Sequence, residues 1–409
     1  MTDKRAEINL KDLPRNIWAV SLTSFFMDIS SEMVINLIPL FLANTLGVRT
    51  NIIGLIEGVA ESTASLLKVF SGWLSDRLRA RKWLAVAGYA LSALAKPFFL
   101  LANTWGWVAG VRWADRVGKG VRTAPRDALV ADSIRPEQRG LAFGLHRAAD
   151  TGGALVGLLV AAGLVWRAQS ADLALNAATF RLVVLASLPP AFLAVLSLAL
   201  GAVETGVKNQ AGKPKLAFRA LGRRFMVFMG IVALFDLGNS SDAFLVLRAQ
   251  ERGASVLGIM GMLALFNLVY TLSSAPAGGL SDRVGRRRLI IAGWLAYALV
   301  YLGFGLARAA WHISVLYALY GLYYGLAYGT AKAMIADLVP EALRGTAYGT
   351  YSALLGMIDL PASLIAGLLW QGAGAWPGLG AGAPFLFGAG TALLAALLML
   401  LWKPDHPTA

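Results

Sequence analysis

The sequence predicts an all-α membrane protein whose twelve transmembrane helices form two six-helix bundles related by pseudo-twofold symmetry. Hydrophobic residues make up 57% of the 409-residue chain and charged residues only 15%, a composition that soluble domains of this length do not show. Apolar runs of about 20 residues, the length that crosses a bilayer, recur along the whole chain. The chain also repeats itself at about half its length.

The apolar runs are separated by short polar connections, and we count twelve of them. They cover approximately residues 16–46, 51–74, 83–102, 104–131, 141–166, 182–203, 225–247, 256–277, 289–307, 311–336, 345–370 and 384–402. The first run is long and has no small-residue cleavage site, so we expect a retained span rather than a signal peptide.

Two polar loops occur twice, about 205 residues apart. The stretch GWLSDRLRARK at 72–82 returns as GGLSDRVGRRR at 278–288, and DSIRPEQRGLAFG at 132–144 returns as DLVPEALRGTAYG at 337–349. Six spans lie in each copy, so both copies enter the membrane in the same orientation, as parallel repeats do. The predicted domains are an N-terminal bundle at 1–203, a basic cytoplasmic linker at 204–224 and a C-terminal bundle at 225–409.

Basic residues concentrate on one side of this twelve-span arrangement. Of the 37 Lys and Arg residues, 22 fall on the tails and loops assigned to the cytoplasm, six on the opposite side and nine within spans. This is the positive-inside bias, and it accounts for the net charge of +14 without nucleic acid as a partner. We expect anionic lipid headgroups beside these loops, and a multi-pass protein of the bacterial cytoplasmic (inner) membrane with both termini in the cytoplasm.

The composition also argues against several kinds of chemistry. The chain has no cysteine and only three histidines, which lie far apart in sequence, so we expect no disulfide and no metal site. It contains no Walker sequence and no recognisable set of nucleophile, base and metal ligands. We therefore expect a protein that is not an enzyme, uses no cofactor and is not driven by ATP.

The repeated loop resembles the signature of the major facilitator superfamily, G-x-L-[AS]-D-R-x-G-R-[RK]-[RK]. The copy at 278–288 matches it fully, whereas the copy at 72–82 has Arg79 in place of the second glycine. The resemblance covers the whole chain and implies a monomeric transporter of a small-molecule substrate with a cytoplasmic gate that stabilises the outward-facing state. The gate residues that it implies are Gly72, Asp76, Arg77, Gly278, Asp282, Arg283 and Arg286. A purely topological role for the loop is the alternative, but that role does not require the acids.

Ionisable residues within the spans concentrate in the N-terminal half. Each costs at least about 2.5 kcal/mol at the bilayer centre, so such residues mark function by default. The first six spans contain seven acids and eight bases, and the last six contain only four ionisable groups. Asp28 and Glu32 are four residues apart and share one face of the first helix. We expect the N-terminal half to carry the chemistry and the C-terminal half mainly to shape the cavity.

The fourth span resembles the R-x-x-Q-G motif of proton-coupled facilitators. Arg116 stands at the arginine, Gly120 at the glycine, and Lys119 replaces the glutamine. The resemblance implies that Arg116 biases the proton affinity of a nearby carboxylate. Burial and a neighbouring arginine act on a carboxylate in opposite directions, so such an acid can titrate near neutral pH. The proton-coupling candidates are Asp28, Glu32, Glu61, Asp150 and Arg116.

The remaining ionisable groups of the spans are candidates for the substrate cavity. They are Glu57, Lys96, Arg112, Lys119, His146, Asp236, Asp242, Lys332 and Asp359. For each acid the alternative is a permanent ion pair that locks two helices together. The tyrosines of the tenth span can equally pack in the interior or stack on a ligand.

These patterns favour a proton-coupled secondary transporter that moves a small organic solute or drug by alternating access. We place export by proton antiport ahead of uptake by symport. The antiporter pattern of a fifth-span glycine pair followed by proline is incomplete, since Leu158 follows Gly153 and Gly157. A non-pumping receptor or flippase-like protein is the remaining alternative, and the identity of the substrate does not follow from the sequence.

Overall fold

The computed structural model describes residues 13–134, 139–169, 172–205, 221–340 and 343–402, without the side chains of 139–140, 274–283, 326–329, 333 and 345. The N-terminal half contains α1 (Arg15–Ile35), the short α2 (Ile38–Leu40), α3 (Thr50–Leu78), α4 (Arg81–Ala95), α5 (Trp105–Asp132), α6 (Arg139–Gln169) and α7 (Ala177–Gly201). The C-terminal half contains α8 (Gly222–Leu237), α9 (Ala243–Glu251), α10 (Val256–Val284), α11 (Arg286–Leu306), α12 (Ala310–Leu338), α13 (Arg344–Gln371) and α14 (Ala383–Leu401).

These helices form twelve crossing units, as the sequence predicts, but two of the units are interrupted. The first unit is α1, then α2 and a π-helical turn at Phe41–Thr45. The predicted seventh span at 225–247 is wrong as one continuous helix, because α8 ends at Leu237 and α9 begins at Ala243. The intervening Gly-Asn-Ser-Ser-Asp at 238–242 is rich in residues that form turns and compete for backbone hydrogen bonds.

Hydropathy alone identifies eight membrane-crossing helices in the described part of the chain. They are Arg15–Thr45, Arg81–Leu101, Leu141–Gln169, Ala177–Gly201, Val256–Ser273, Arg286–Leu306, Thr346–Gln371 and Ala383–Leu401. The helices α3 and α5 have 29 and 28 residues, which is long enough to cross, but charged residues lower their hydropathy. The charged side chains of α3 and α5 form ion pairs with each other.

The two halves meet along α3 and α13. A methyl group on Gly58 of α3 would lie 3.0 Å from the Cα atom of Leu360 in α13, so glycine is what allows the two helices to approach so closely. At the end where α3 begins, the Thr50 backbone N–H donates to Oε1 of Gln371 at 2.7 Å. Asn51 Nδ2 there donates to the carbonyl of Gly372 at 3.0 Å.

We call the end of the bundle where α1 begins the terminal end, and the end where α3 begins the opposite end. At the terminal end, Arg15 Nη2 donates to the carbonyl of Leu200 at 2.7 Å and Asn16 Nδ2 donates to the carbonyl of Val203 at 3.0 Å. The predicted topology places the terminal end in the cytoplasm.

Two other local features of the sequence have clear counterparts in the structure. The α-helix of the third crossing unit ends at Ala95 and continues as a 3₁₀-helix over Lys96–Leu101, where Pro97 cannot donate a backbone hydrogen bond. The fifth-unit glycines Gly153 and Gly157 lie against the main chain of Phe25 and Ile29 in α1. These two glycines, four residues apart on one face of α6, therefore form a close helix contact.

We predict that Gly157→Val lowers the thermal unfolding midpoint of the purified protein. The new side chain collides with the backbone of α1, and overpacking of this kind costs about 1–3 kcal/mol. Gly163→Val is the matched control, because no atom lies within 4 Å of a Cβ built at Gly163 of the same helix. The measurement is differential scanning fluorimetry of the tryptophan emission in detergent, and equal midpoints for the two variants would contradict the predicted contact.

Candidate functional site

A cavity of about 370 Å³ lies between the two halves, near the middle of the crossing helices. Glu57, Arg112 and Tyr317 each stand seven residues from the opposite-end start of their helix, and Asp359 stands twelve residues before the end of α13. At about 1.5 Å per residue, these side chains lie roughly 10–18 Å from that end. The acidic and basic lining residues are Glu32, Glu57, Glu61, Asp242, Asp359 and Arg112.

Both interrupted crossing units open onto this cavity. Asn36, at the end of α1, and Asn239, Ser240, Ser241 and Asp242, between α8 and α9, all line it. The interruptions lie about 205 residues apart, so they occupy equivalent places in the two repeats. Irregular backbone at membrane depth is tolerated where it lines a cavity, and here it supplies polar groups from both halves.

Tyrosine hydroxyls hold the break between α8 and α9. The hydroxyl of Tyr297 lies 3.3 Å from the carbonyl oxygen of Gly238 and 3.2 Å from Oδ1 of Asn239, and it can donate its one hydrogen to either. The hydroxyl of Tyr320 lies 3.4 Å from both Oδ1 of Asn239 and Oδ1 of Asp242 and can likewise donate to either. The two hydroxyls therefore supply hydrogen bonds to the break and reach the Asp242 carboxylate beside the cavity.

Two arginines of α5 neutralise the acids of α3. Arg112 Nη2 lies 2.6 Å from Oε2 of Glu57 and 3.2 Å from Oε1 of Glu61. Arg116 Nη1 lies 3.3 Å from the same oxygen of Glu61, and its Nε lies 3.4 Å from Asp115 Oδ2. The Arg112 and Arg116 side chains are each only 3% exposed, whereas that of Glu61 is 35% exposed. The network joins α3 to α5 and presents one edge of Glu61 to the cavity.

Three other acids of the cavity lack a basic partner among the described residues. Glu32 accepts a hydrogen bond from Asn36 Nδ2 at 3.0 Å and forms no ion pair with any residue that the structure describes. Asp242 interacts with the Tyr320 hydroxyl, and Asp359 lines the cavity from α13. An unpaired carboxylate at membrane depth needs water, a proton or a ligand.

Aromatic side chains form the C-terminal wall of the cavity. Phe266, Tyr317 and Tyr324 line it, and the ring of Phe266 stands nearly perpendicular to that of Tyr324, at 81° with centroids 5.6 Å apart. Tyr317 is only 1% exposed, so much of its ring packs in the interior. Tyr317 and Tyr324 therefore pack in the interior and also line the cavity, and their stacking on a ligand stays a prediction.

Asp28 and Asp150, the two other acidic proton-coupling candidates, lie in the N-terminal half but are not among the lining residues. Asp28 is partly buried and makes no ion pair with any described residue. Asp150 Oδ1 lies 3.7 Å from His146 Nε2, and this nitrogen is also 2.9 Å from the Ser24 hydroxyl. Because serine and aspartate contact the same imidazole nitrogen, the arrangement is not a nucleophile–base–acid relay.

Five of the nine predicted cavity residues are not among the lining residues of this cavity. His146 bonds to Ser24, and Lys96 is buried in the N-terminal bundle, where its Nζ lies 2.5 Å from the Ser30 hydroxyl. Asp236 is buried behind the helix break and accepts from Asn239 Nδ2 at 3.3 Å. Lys119 is exposed one turn beyond Arg116, and Lys332 is exposed toward the terminal end of α12. Helical spacing gives the face of each side chain but not which neighbouring helix covers that face.

The predicted gate loop contains an ion pair that both repeats share. Arg81 contacts Asp76 at 3.1 Å and Asp132 at 2.9 Å. Arg286 contacts Asp337 at 2.5 Å. These two residues lie 205 positions after Arg81 and Asp132, so the Arg81–Asp132 pair recurs in the second repeat.

The rest of the gate motif is only partly described. Arg77 lies over the Trp73 ring, 5.3 Å from its centroid, and Gly72 lies against Ala124 of α5. Gly278, Asp282 and Arg283 fall within α10, but their side chains lie outside the described residues.

Arg79 has a left-handed backbone conformation at the place where the gate signature has glycine. Its φ is 52° and its ψ is 33°, whereas Gly285, at the same place in the second copy, has a φ of 93° and a ψ of 133°. The first loop therefore turns without the glycine and in a different conformation from the second, although a side chain in the left-handed region is unfavourable by roughly 1–2 kcal/mol.

Two features of the structure were not predicted from the sequence. The break at 238–242 was missed, although its Gly-Asn-Ser-Ser run is a recognisable helix-breaking signal. Arg248 was placed beyond a span, but it is 1% exposed and donates to the carbonyls of Phe304, at 3.0 Å, and Gly305, at 2.8 Å. The described residues include no group of three or more His, Asp or Glu arranged to hold a metal ion.

Comparison with known proteins identifies the family. The Major Facilitator Superfamily model matches residues 20–247 and 225–409, and the chain belongs to this superfamily of transporters, which bind small-molecule substrates and are not enzymes. An uncharacterized MFS-type transporter of Methanocaldococcus jannaschii is 33% identical over 413 residues, covering 98% of this chain and 100% of the relative.

Two further proteins are similar at lower identity. A multi-drug resistance efflux pump PmrA homolog of Lactococcus lactis subsp. lactis is 23% identical over 371 residues, covering 87% of this chain and 89% of the relative. The crystal structure of a D-xylose-proton symporter superposes with a TM-score of 0.73 at 18% identity, covering 96% of this chain and 97% of that one. The latter likeness concerns the fold alone.

We predict that Arg112→Met destabilises the protein by about 3–5 kcal/mol, because it leaves the buried Glu57 carboxylate without its counterion. The double variant Arg112→Met/Glu57→Leu removes both charges and is expected to recover most of the loss. Denaturation midpoints of the wild type, both single variants and the double variant form the required mutant cycle. A double variant no more stable than Arg112→Met would refute this assignment.

Proposed function

We propose that the protein is a proton-coupled secondary transporter that moves a small organic solute across the membrane by alternating access. The observation that carries the proposal is Glu32, which lines the cavity between the halves and has no ion pair among the described residues. A carboxylate in this position can bind a proton when the cavity faces one side of the membrane and release it when the cavity faces the other.

We propose that protons leave Glu32 through Asp28, which lies closer to the terminal end on the same helix. The two acids lie four residues apart on one face of α1, about 6 Å along the helix axis. Asp28 lies within electrostatic range of both Glu32 and Asp150. In the proposed cycle, Asp28 and Asp150 pass protons between Glu32 and water at the terminal end.

Glu61 has a different role in this proposal. Its Oε1 atom is shared by Arg112 and Arg116, so its charge is already compensated inside the protein. We propose that Glu61 and both arginines set the electrostatic environment of the cavity and hold α3 against α5, while Glu32 carries the exchangeable proton.

Alternating access requires the halves to separate at the opposite end. The hydrogen bonds that must break there join Arg49, Thr50 and Asn51 to Gln371 and Gly372, and Gln250 Nε2 to the carbonyl of Leu173 at 2.8 Å. The close packing of Gly54 and Gly58 on α13 must separate as well. The hydrogen bonds lie at the helix ends, where water can replace them during a rocking motion.

Export by proton antiport is the direction that we propose, and the relative named as an efflux pump in Lactococcus lactis subsp. lactis supports it. Uptake by symport is the second candidate. An imposed pH gradient separates the two, because antiport accumulates solute on the acidic side and symport on the alkaline side. A receptor or a flippase-like protein would produce no such accumulation.

The membrane setting is also part of the proposal. We propose that the chain lies in the cytoplasmic membrane with the terminal end and both termini in the cytoplasm, in keeping with its basic loops. Residues 204–224 then link bundles 1–203 and 225–409 on that side, and the protein functions as a monomer surrounded by anionic lipid.

We predict that Glu32→Gln abolishes proton movement coupled to solute movement, because the amide has the size of the acid but cannot take up a proton. Protein reconstituted in liposomes with an enclosed pH indicator is challenged with outward gradients of ethidium, benzyltrimethylammonium and benzenesulfonate. Wild-type protein is expected to change the internal pH with at least one of these solutes.

Asp172→Asn is the control for this experiment, because Asp172 is exposed at the opposite end, outside the cavity. It is expected to behave as the wild type does. Unchanged proton movement in the combined Asp28→Asn/Glu32→Gln variant would exclude the proposed carriers.

A further inference from the structure

The charge of the cavity lining is strongly unbalanced. Five carboxylates line it, and Arg112 is the one basic side chain among the described lining residues. These acids come from both halves, with Glu32, Glu57 and Glu61 on one side and Asp242 and Asp359 on the other.

Arg112 has little capacity left for an anionic ligand. Its Nη2 contacts Glu57 at 2.6 Å and Glu61 at 3.2 Å, and its Nε donates to Glu57 at 3.2 Å. Arg116 lies behind Glu61 and is only 2% exposed. Both arginines are therefore largely occupied by the acids of α3 and by Asp115. Lys119, exposed on the next turn of α5, lies within electrostatic range of Glu32, Glu61 and Asp359, and the acids still outnumber these three bases.

The cavity lining also includes a serine hydroxyl without a hydrogen-bond partner among the described residues. Ser240 is 8% exposed and lines the cavity at the break between α8 and α9, and its hydroxyl makes no hydrogen bond to any described residue. A nearly buried hydroxyl that faces the cavity can turn its oxygen atom toward the positive charge of a ligand. It stands two residues from the carboxylate of Asp242.

The aromatic wall indicates which kind of cation fits. Phe266 and Tyr324 meet nearly at right angles, and Tyr317 adjoins Phe266 at a centroid distance of 5.1 Å. The faces of such rings attract alkylammonium groups and also pack against apolar carbon. An inorganic ion prefers a shell of oxygen atoms, so a wall of three rings favours an organic cation.

The size of the cavity limits the solute. A volume of about 370 Å³ is close to the lower end of the range for small-molecule sites, roughly 300–1,000 Å³. A solute with one ammonium group and one small apolar or aromatic group fills this space.

We propose that the cavity binds small organic cations, with the ammonium group held between Asp242 of the C-terminal half and Glu32 of the N-terminal half and the apolar group against Phe266, Tyr317 and Tyr324. This inference rests on the proposed function, since it takes the cavity to be the transport site. Asp242 lies within electrostatic range of Glu32. A cation and a proton then compete for the same carboxylates, which is the arrangement that exchange of one for the other requires.

The test is equilibrium binding to the purified full-length protein in detergent, at fixed pH and without a gradient. The probes are benzyltrimethylammonium, the neutral isostere neopentylbenzene and the anion benzenesulfonate, measured by isothermal titration calorimetry. We expect the cation to bind and the other two to show no saturable binding. Raising the proton concentration is expected to weaken binding of the cation.

Variants assign the binding to the cavity. Asp242→Asn is expected to weaken cation binding at least tenfold, and Asp242→Glu to weaken it less, because the charge is retained. Glu32→Gln is also expected to weaken cation binding, and Asp172→Asn is expected to bind the cation as the wild type does. Size-exclusion chromatography and the unfolding midpoint of each variant establish that a loss of binding is not a loss of fold.

Several outcomes would overturn this inference. They are binding of benzenesulfonate in place of the cation, no saturable binding of the cation, and cation binding that Asp242→Asn and Glu32→Gln leave unchanged. The proposed function has a separate readout, because proton movement in liposomes with benzenesulfonate, and with neither cation, would leave proton coupling intact while this substrate class is rejected. Cation binding without any proton movement would instead reject the coupling and retain the site.

Discussion

An ionised side chain within a membrane is stable only beside an opposite charge, a set of hydrogen-bond donors or water. This constraint organises the interior of the protein. Arg112 and Arg116 are buried because Glu57, Glu61 and Asp115 surround them at 2.6–3.9 Å. Glu32, Asp242 and Asp359 have no such partners among the described residues, and all three face the cavity. Among the acids that line the cavity, the division between paired and unpaired groups therefore separates those that hold helices together from those that can exchange a proton or bind a solute.

The two repeats have the same topology, but they stabilise their buried polar groups in different ways. Both interrupt their first helix at the cavity, and both place an Arg–Asp pair at the terminal end, Arg81 with Asp132 and Arg286 with Asp337. The N-terminal repeat fills its core with an ion network. The C-terminal repeat instead surrounds its helix break with tyrosines, including the pair Tyr297 and Tyr320 that bond to Asn239. The two repeats thus share their helix arrangement. The N-terminal repeat forms a charged wall of the cavity, and the C-terminal repeat forms an aromatic wall.

Much of the fold could be predicted from the sequence, because the bilayer imposes a simple length rule on apolar runs. The twelve crossing units, the repeat offset and the contact made by Gly153 and Gly157 all follow from periodicity and spacing. Asp28 and Glu32 show where this reasoning ends. They share a helix face, yet only Glu32 lines the cavity, because one helical turn changes which neighbouring helices cover the side chain. The environments of Lys96 and Asp236 likewise depend on packing partners that lie far away in sequence.

The central claim is that Glu32 exchanges its proton reversibly with water in the folded protein. Infrared difference spectroscopy between acidic and alkaline pH measures this directly through the carbonyl stretch of protonated carboxylic acids, and it needs no knowledge of the substrate. The account predicts a band in the wild type that loses intensity in Glu32→Gln and is unchanged in the exposed control Asp172→Asn. A spectrum of Glu32→Gln identical to that of the wild type would contradict the account.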